Sequence, residues 1–300
     1  MKILKINGKV GNPIIPRNVK DPAGQFGNLR NANAQLKRRY SNIKKAIREL
    51  IGEFQPTIVT NATTYDYKVD STKFNSISLY LQHLLYGELL DNEQGDLTNR
   101  WYLRSNLGLA YENGTGDTLQ SSKNIATIDA VGPDLSRQVH AIQLEQIMLS
   151  PQYQDRVGLV YSRVFEGMKG LSDSTKTDLA DTLARGMASG KGIRSLSRDV
   201  MKRVDVSHSR ARTIARTEIL NSYRTATSAE TDSMNEDVYD DSDWHMVSLW
   251  FSALAPSSRS WHVSRHGSTY STQEVRAFYS VSANAINCLC SQSPVLANKK

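Results

Sequence analysis

Four residues near the end of the chain carry side chains that bind transition metals. They are His262 and His266, followed by Cys288 and Cys290. Zinc favours four ligands of thiolate and imidazole type, and a Cys-x-Cys pair supplies two of them. The set is therefore a candidate zinc site. Gly267 directly follows His266 and favours a turn, which counts against His266 as a ligand. The alternative to a metal site is that His262 is a structural residue that forms hydrogen bonds beside two packed thiols.

The same part of the chain contains residue types that serve in catalysis. A cysteine beside a histidine can form a nucleophile and base pair, and Arg259, His262 and Glu218 could be arranged as a nuclease-like or transferase-like site. Nothing in the spacing of these residues separates such a site from a structural role. A metal-dependent enzyme is therefore one of the alternatives for this protein.

Basic residues are concentrated at the start of the chain. Residues 1–60 contain twelve lysines and arginines against three acids, or +9, so the other 240 residues sum to −2 within the total of +7. Six of these cations follow one predicted helix: Lys37, Arg38, Arg39, Lys44, Lys45 and Arg48. Bound to phosphates, such a helix face gives salt-dependent affinity that ignores base sequence. Bound to nothing, it is a solvated face.

The stretch from Ser207 to Asp232 has the period of a long helix. One of its faces carries small and aliphatic side chains around one carboxylate: Ala211, Ile214, Ala215, Glu218, Ser222, Ala226 and Ala229. Outside that face lie Arg210, Arg212, Arg216, Tyr223 and Arg224. Because an unpaired buried charge is costly, Glu218 is expected either to be buried against an arginine or histidine or to lie at the helix edge and reach water.

Apolar residues recur at helical spacing in several other segments. The predicted helices cover residues 31–54, 77–90, 101–111, 135–148, 152–168, 172–190 and 193–204. A period of two then predicts a strand from Trp244 to Leu254 with both faces at least partly buried. Gly114 to Gly116 predict a turn, and the glycines and prolines of residues 1–30 predict an extended arm that orders only on a partner.

Together these elements predict an α+β protein that is mainly helical in its N-terminal and central region, with a small strand-containing module at the C-terminus. The predicted ranges are an extended basic arm over 1–30, a helical domain over 31–169, a further domain over 170–292 and a tail over 293–300. No segment approaches the about 18–20 apolar residues of a membrane span. The start, MKILKINGKV, lacks the apolar core of a signal peptide. Residence in a cytoplasm is the default expectation.

Four separate blocks in the second half of the chain resemble one protein family. They are Gly170 to Ser172 with Leu179, Leu183, Gly186 and Ala188 to Gly190, then Arg210 to Glu218 with Ala226, then Arg259, His262 and Gly267, and last Asn287 to Cys290. In order and spacing they resemble the GLS lead-in, the RA..IARTE core, the R..H and the NC.C blocks of the Mu F-like head-morphogenesis proteins, the minor head proteins of tailed bacteriophages. The resemblance covers residues 170–292.

The resemblance implies a minor head protein that joins the procapsid in the host cytoplasm and stays in the virion head. Its implied partners are the portal or the inner capsid shell, with packaged double-stranded DNA as a further partner and no membrane. The resembled domain is generally regarded as non-enzymatic, so we expect no enzyme activity. The alternative from another class is a nucleic-acid-binding protein whose basic N-terminal arm is the active element.

The resemblance also bears on the metal and on the motif residues. Some relatives have Cys-x-x-Cys in place of Arg259 and His262, which suggests a zinc knuckle in them. Here one thiolate has become a cation, so no cofactor is expected, with zinc as the alternative. Arg216, Glu218, Arg259 and Gly267 are expected to be structural residues of the motif.

Overall fold

The computed structural model describes residues 5–6, 9–10, 14–59, 64–91, 101–127 and 131–299. Helices predominate and the longest strands lie near the C-terminus, which confirms the predicted α+β class. Contacts divide the chain into two compact units. Unit 1 comprises residues 1–30, 104–160 and 216–300, and unit 2 comprises residues 31–103 and 161–215. The units differ from the predicted ranges because each combines segments that are distant in sequence.

The elements follow in chain order. The helices are α1 (Phe26–Gly52), α2 (Ser71–Leu90), α3 (Leu109–Ala126), α4 (Pro133–Ala141), α5 (Leu144–Leu149), α6 (Pro151–Ala188), α7 (Ile193–Asp237), α8 (Ser260–Val263) and α9 (Thr272–Ser280). The strands are β1 (Lys5–Ile6), β2 (Lys9–Val10), β3 (Thr57–Ile58), β4 (Tyr65–Asp66), β5 (Trp244–Phe251), β6 (Thr269–Tyr270) and β7 (Ser291–Asn298). Within the described ranges, no helix is long and apolar enough to cross a bilayer.

In unit 2, helix α1 buries the apolar stripe that its sequence predicts. Each side chain of the stripe is at most 1% exposed: Leu36, Tyr40, Ile43, Ile47 and Ile51. The stripe therefore belongs to the core of this unit. Deletion of residues 1–54 is therefore expected to unfold this unit, because it would remove these five core side chains.

Helices α6 and α7 are longer than predicted, with 38 and 45 residues. The expected break near Ser172 is absent because its hydroxyl donates to the Met168 carbonyl (3.0 Å) instead of capping a new helix. Near the expected break after Val204, the Ser207 hydroxyl lies 2.7 Å from that of Thr175. Helix α6 ends at Ala188 and α7 begins at Ile193. Gly190 between them has a φ of 64°, the left-handed conformation expected of a C-terminal cap.

In unit 1, part of the predicted arm is ordered and buried, so its assignment to residues 1–30 is wrong. The Asp21 carboxylate accepts from the backbone N–H groups of Gln25 (2.9 Å) and Phe26 (2.8 Å), and so caps the start of α1. Gln25 and Leu29 are buried. Residues 1–4, 7–8 and 11–13 of the predicted arm lie outside the described residues.

Helix α3 crosses α7 in unit 1 at Gly114, where the sequence predicts a turn. A Cβ on Gly114 would lie 2.4 Å from the Tyr223 carbonyl oxygen and 2.9 Å from the Ala226 Cβ. The glycine therefore has a packing role inside a helix: it lets the two backbones approach closely. The turn prediction is wrong because this benefit outweighs the helix-propensity cost of glycine, about 1 kcal/mol.

The C-terminal sheet of unit 1 has the order β6-β5-β7, with both pairs antiparallel. As predicted, β5 is buried on both faces, since Val247 and Trp250 are at most 1% exposed. Strand β7 pairs with β5 along its whole length, from Trp244 opposite Asn298 to Phe251 opposite Ser291. The predicted tail over 293–300 is therefore wrong through residue 298, because those residues complete the sheet.

Replacement of Gly114 with alanine tests the close approach of α3 and α7. We expect Gly114→Ala to lower the free energy of unfolding by about 1–3 kcal/mol, because backbone atoms must move to admit the methyl group. The control is Gly158→Ala on α6, where a Cβ meets no atom within 4 Å and the gain in helix propensity is about 0.5–1 kcal/mol. Urea unfolding measures both changes, and equal stabilities would contradict this packing role.

Candidate functional site

The structure brings His262 together with both cysteines in unit 1. The Nδ1 atom of His262 lies 3.3 Å from the Cys288 sulfur and 3.6 Å from the Cys290 sulfur. All three side chains are at most 5% exposed, and both thiols are free of a disulfide bond. The predicted approach of His262 to the cysteines is therefore present. We call these three residues the His–Cys–Cys cluster.

Helix α7 fixes the backbone on which the two cysteines lie. Arg224, only 4% exposed, donates through Nη1 to the carbonyl oxygens of Cys288 (3.2 Å) and Cys290 (3.1 Å). Its guanidinium also lies 4.3 Å from the centre of the Tyr279 ring. About two turns earlier on α7, the Thr217 hydroxyl accepts from the backbone N–H of Asn287 (3.1 Å). These contacts hold residues 287–290 against the helix.

The cluster favours one thiolate and one thiol. A hydrogen bond with Cys290, followed by contacts with His262 and Arg224, lowers the pKa of Cys288, although burial opposes the shift. The pKa of Cys290 is raised, because it shares that hydrogen bond and because it is buried. Burial alone would lower the pKa of Arg224, but Tyr279 and the two cysteines raise it. The arginine therefore stays charged and faces a thiolate.

Arg259 determines how the His262 ring is protonated. Its Nη1 lies 3.5 Å from His262 Nε2, and its guanidinium donates to the carbonyl oxygens of Asn284 (3.3 Å) and Ile286 (3.0 Å). A guanidinium has no acceptor, so Nε2 accepts and the ring proton is on Nδ1. The Nδ1–H then donates toward the thiolate of Cys288. In this arrangement, hydrogen bonds hold the cluster together.

The donor distances of the cluster fit zinc, but its surroundings do not. Zinc bond lengths of about 2.3 Å to sulfur and about 2.0–2.1 Å to nitrogen place S and N about 3.6 Å apart in a tetrahedron, near the observed 3.3 and 3.6 Å. A zinc-bound histidine, however, needs a free Nδ1 lone pair and an acceptor for its Nε2–H. Arg259 offers a cation there, so the residues present do not fit a zinc site.

His266, the predicted fourth ligand, lies apart from this group. The three side chains whose ligand atoms lie within 4.8 Å of one another are His262, Cys288 and Cys290. His266 is exposed, and its Nδ1 accepts from the backbone N–H of Ser252 (3.1 Å). The assignment of His266 as a ligand is wrong because its ring nitrogen caps the end of β5. Gly267 has a φ of 79°, the turn conformation that its sequence context predicts.

Helix α7 is buried more completely than the sequence interpretation assumes. Between Thr217 and Thr231 one residue alone is exposed, Thr225. Tyr223 and Arg224, placed outside the packed face, are both 4% exposed, so that assignment is wrong. Small, hydroxyl and aliphatic residues occur on all sides of this stretch, which is typical of an enclosed helix and is the signal that a single stripe overlooks.

Glu218, the carboxylate predicted to need a partner, is not the most buried acid of α7. Glu218 is partly buried and has interaction partners. The acid that is most buried on this helix is Glu230, 3% exposed, and it forms a salt bridge with Arg156. Arg216 is partly buried, and burial lowers its pKa. The sequence interpretation names neither Arg224 nor Glu230 as a site residue.

Two of the six predicted DNA-binding cations of α1 pair with acids elsewhere in unit 2, and a third, Lys45, lies 4.0 Å from Glu49 on the same helix. Arg39 forms a salt bridge with Asp91 (2.7 Å), and Lys44 forms one with Asp205 (2.5 Å). The other four are exposed on one side of the helix: Lys37, Arg38, Lys45 and Arg48. We call these four residues the basic face of α1.

Comparison with known proteins gives the class of protein. Residues 177–293 match the family model described as Phage Mu protein F like protein, which confirms the resemblance for this part of the chain. The match indicates a protein of the bacteriophage head-morphogenesis class. No curated protein and no solved structure matches the chain. The matched range includes Arg216, Arg224, Arg259 and the whole His–Cys–Cys cluster.

Arg224→Met tests the arginine that holds the cysteine segment. We expect it to lower the free energy of unfolding by about 2–4 kcal/mol, because two buried carbonyl oxygens lose their donor. Arg210→Met, at an exposed position of the same helix, is the control and should change stability by less than about 0.5 kcal/mol. Chemical unfolding followed by tryptophan fluorescence provides the measurement. If the two variants are equally stable, Arg224 does not have this role.

Arg259→Cys tests whether the arginine is what keeps zinc from the cluster. The variant has a Cys-x-x-His pair beside the Cys-x-Cys pair, a complete set of four ligands. After expression with added zinc, we expect about one zinc per variant chain by elemental analysis and a substoichiometric amount in the unaltered protein. Arg265→Cys is a matched control at a position outside the cluster. One zinc per unaltered chain would contradict the hydrogen-bonded arrangement.

Proposed function

We propose that this protein is a minor head protein of a tailed bacteriophage, which joins the procapsid through its Mu F-like domain and remains in the virion head. The family match over residues 177–293 is the observation that carries the proposal. In this proposal the domain binds the portal or the inner capsid shell while the head assembles in the host cytoplasm. The partner surface takes no part in membrane binding.

We propose a second contact through unit 2, between the basic face of α1 and packaged double-stranded DNA. The apolar stripe of α1 is buried in unit 2, so the helix is fixed and its opposite side is presented to solvent. Four exposed cations on one helix side can track phosphates along a duplex without reading bases. This arrangement supports DNA contact by a folded helix face in place of a flexible arm.

The proposal assigns a structural role and no catalysis to the His–Cys–Cys cluster. Cys288 and Cys290 are 5% and 3% exposed, and each backbone carbonyl is occupied by Arg224. The hydrogen bonds of His262 and Arg259 connect these elements to one another. In this proposal the cluster stabilises the shape of the C-terminal module. A nucleic-acid-binding protein that acts outside the head remains the competing function.

Head incorporation tests the function. We expect the protein in purified procapsids and virions of the phage that encodes it, detected by quantitative mass spectrometry. Binding to purified portal or to empty shells should persist at high salt, where contacts with phosphate weaken. Absence from both particles, together with strong DNA binding in solution, would favour the nucleic-acid-binding alternative.

Neutralisation of the basic face tests the DNA contact. With Lys37, Arg38, Lys45 and Arg48 all replaced by glutamine, we expect weaker binding to a duplex. The slope of log affinity against log salt should fall by up to about 3.6, since each lost phosphate contact removes about 0.9. The control replaces four exposed arginines of α7 with glutamine: Arg194, Arg198, Arg203 and Arg210. Equal losses in both variants would show that net charge, and not this face, is responsible.

A further inference from the structure

A cavity of about 280 Å³ opens beside the His–Cys–Cys cluster in unit 1. It is formed by Arg216 of α7, the segment 253–262 and the segment 286–290. Two arginines line it, Arg216 and Arg259, together with the hydroxyls of Ser257 and Ser258. Among the described residues, no aspartate or glutamate is part of the lining. We call this cavity the arginine pocket.

The charges around the arginine pocket do not balance. Arg216 and Arg259 contribute two cations, whereas the thiolate of Cys288 is the one anionic group among the described residues that line it. The Nε atom of Arg216 is buried and lacks a hydrogen-bond partner among the described residues. A buried donor without an acceptor is costly. An anion that accepts from Arg216 would remove this cost.

Arg259 is held in place for the same kind of ligand. Its hydrogen bonds to the carbonyl oxygens of Asn284 and Ile286 fix the plane of the guanidinium before any ligand arrives. A planar, fixed guanidinium matches the two oxygens of a carboxylate, and little side-chain entropy is lost on binding. The pocket thus combines one fixed arginine with one whose hydrogen-bonding capacity is unused.

The size and rim of the pocket distinguish a polypeptide from a nucleic acid. The cavity lies just below the range of about 300–1,000 Å³ that is common for drug-sized ligands, so it accommodates a side chain more readily than a nucleotide. Ile286, which lines the cavity, is 42% exposed, and Trp261, the chain neighbour of the lining residue His262, is 53% exposed. Exposed tryptophan beside a charged pocket is typical of protein interfaces, whereas a duplex backbone offers phosphates and no apolar group.

We propose that the arginine pocket binds a carboxylate of an acidic polypeptide segment, flanked by an apolar residue that packs on Trp261 and Ile286. The inference deepens the proposed function, because it gives the Mu F-like domain a partner of defined chemistry. Arg216 and Arg259 bind the carboxylate oxygens, and the serine hydroxyls donate further hydrogen bonds. The site is separate from the basic face of α1, which belongs to unit 2.

Arginine side-chain NMR tests the pocket with small probes. The protein is labelled with ¹⁵N-arginine and titrated with N-acetyl-Leu-Glu. The control probe is N-acetyl-Leu-Gln-amide, which has nearly the same size and no carboxylate. We expect saturable shifts of the Arg216 and Arg259 Nε–Hε resonances with the acidic probe alone. No shift of either resonance up to about 10 mM probe, a concentration that detects even millimolar affinity, would overturn the proposal.

Two substitutions of Arg216, one control variant and two competing phosphate ligands complete the test. Arg216→Gln should weaken the acidic probe at least tenfold, Arg216→Lys should weaken it less, and the exposed control Arg210→Gln should leave it unchanged. Circular dichroism confirms that each variant is folded. Unchanged affinity in Arg216→Gln would overturn the proposal. Tighter binding of inorganic phosphate or a DNA duplex than of the peptide probe, with shifts at the same arginines, would assign the pocket to phosphates and likewise overturn it.

The outcomes also separate this inference from the proposed function. If the protein is found in heads and its arginine pocket binds no carboxylate, the pocket assignment fails and the head function stands. If the pocket binds the acidic probe and the protein is absent from procapsids and virions, the head function fails and the pocket stands. Each experiment therefore decides one statement by itself.

Discussion

The buried guanidinium of Arg224 is the constraint on which the C-terminal module depends. It donates to the carbonyl oxygens of Cys288 and Cys290 and packs on Tyr279 of α9. Strand β7 begins at the next residue, Ser291, and pairs with β5 along its whole length. Fixing the cysteine segment therefore fixes where β7 starts, and a shift of one residue there would turn every β7 side chain to the opposite face of the sheet.

The module solves by hydrogen bonds a problem that a zinc ion solves in a zinc knuckle. The short helix α8 and the segment 287–290 must be held together, and here Arg259, His262 and the Cys288 thiolate form a continuous chain of donors and acceptors. A third thiolate, at position 259, would add negative charge and favour a bound metal. An arginine at that position supplies positive charge to the thiolate directly, and such charge-assisted hydrogen bonds are the stronger kind.

Sequence periodicity predicted those elements whose buried side chains recur at the spacing of a helix or a strand. The stripe of α1 and the two buried faces of β5 are examples, and the approach of His262 to the cysteines followed from motif blocks. Gly114 could not be predicted, because its role depends on the backbone of Tyr223, more than one hundred positions away. Arg224 was missed because its partners, the cysteine carbonyls, are backbone atoms that leave no trace in residue types.

Two positively charged surfaces on one chain need not have the same partner, and their shapes give the physical reason. The basic face of α1 is the convex, solvated side of a helix and consists of four exposed cations. Its attraction for a polyanion is therefore long-ranged, screened by salt and independent of base sequence. The arginine pocket is concave and flanked by Trp261, so a ligand there loses water and the attraction becomes strong, short-ranged and dependent on shape. The first suits a uniform polyanion such as DNA, and the second suits one defined acidic side chain of a protein. Under the proposed function, docking at one place in a shell and tolerance of any packaged sequence are assigned to two different surfaces, one specific and one unspecific.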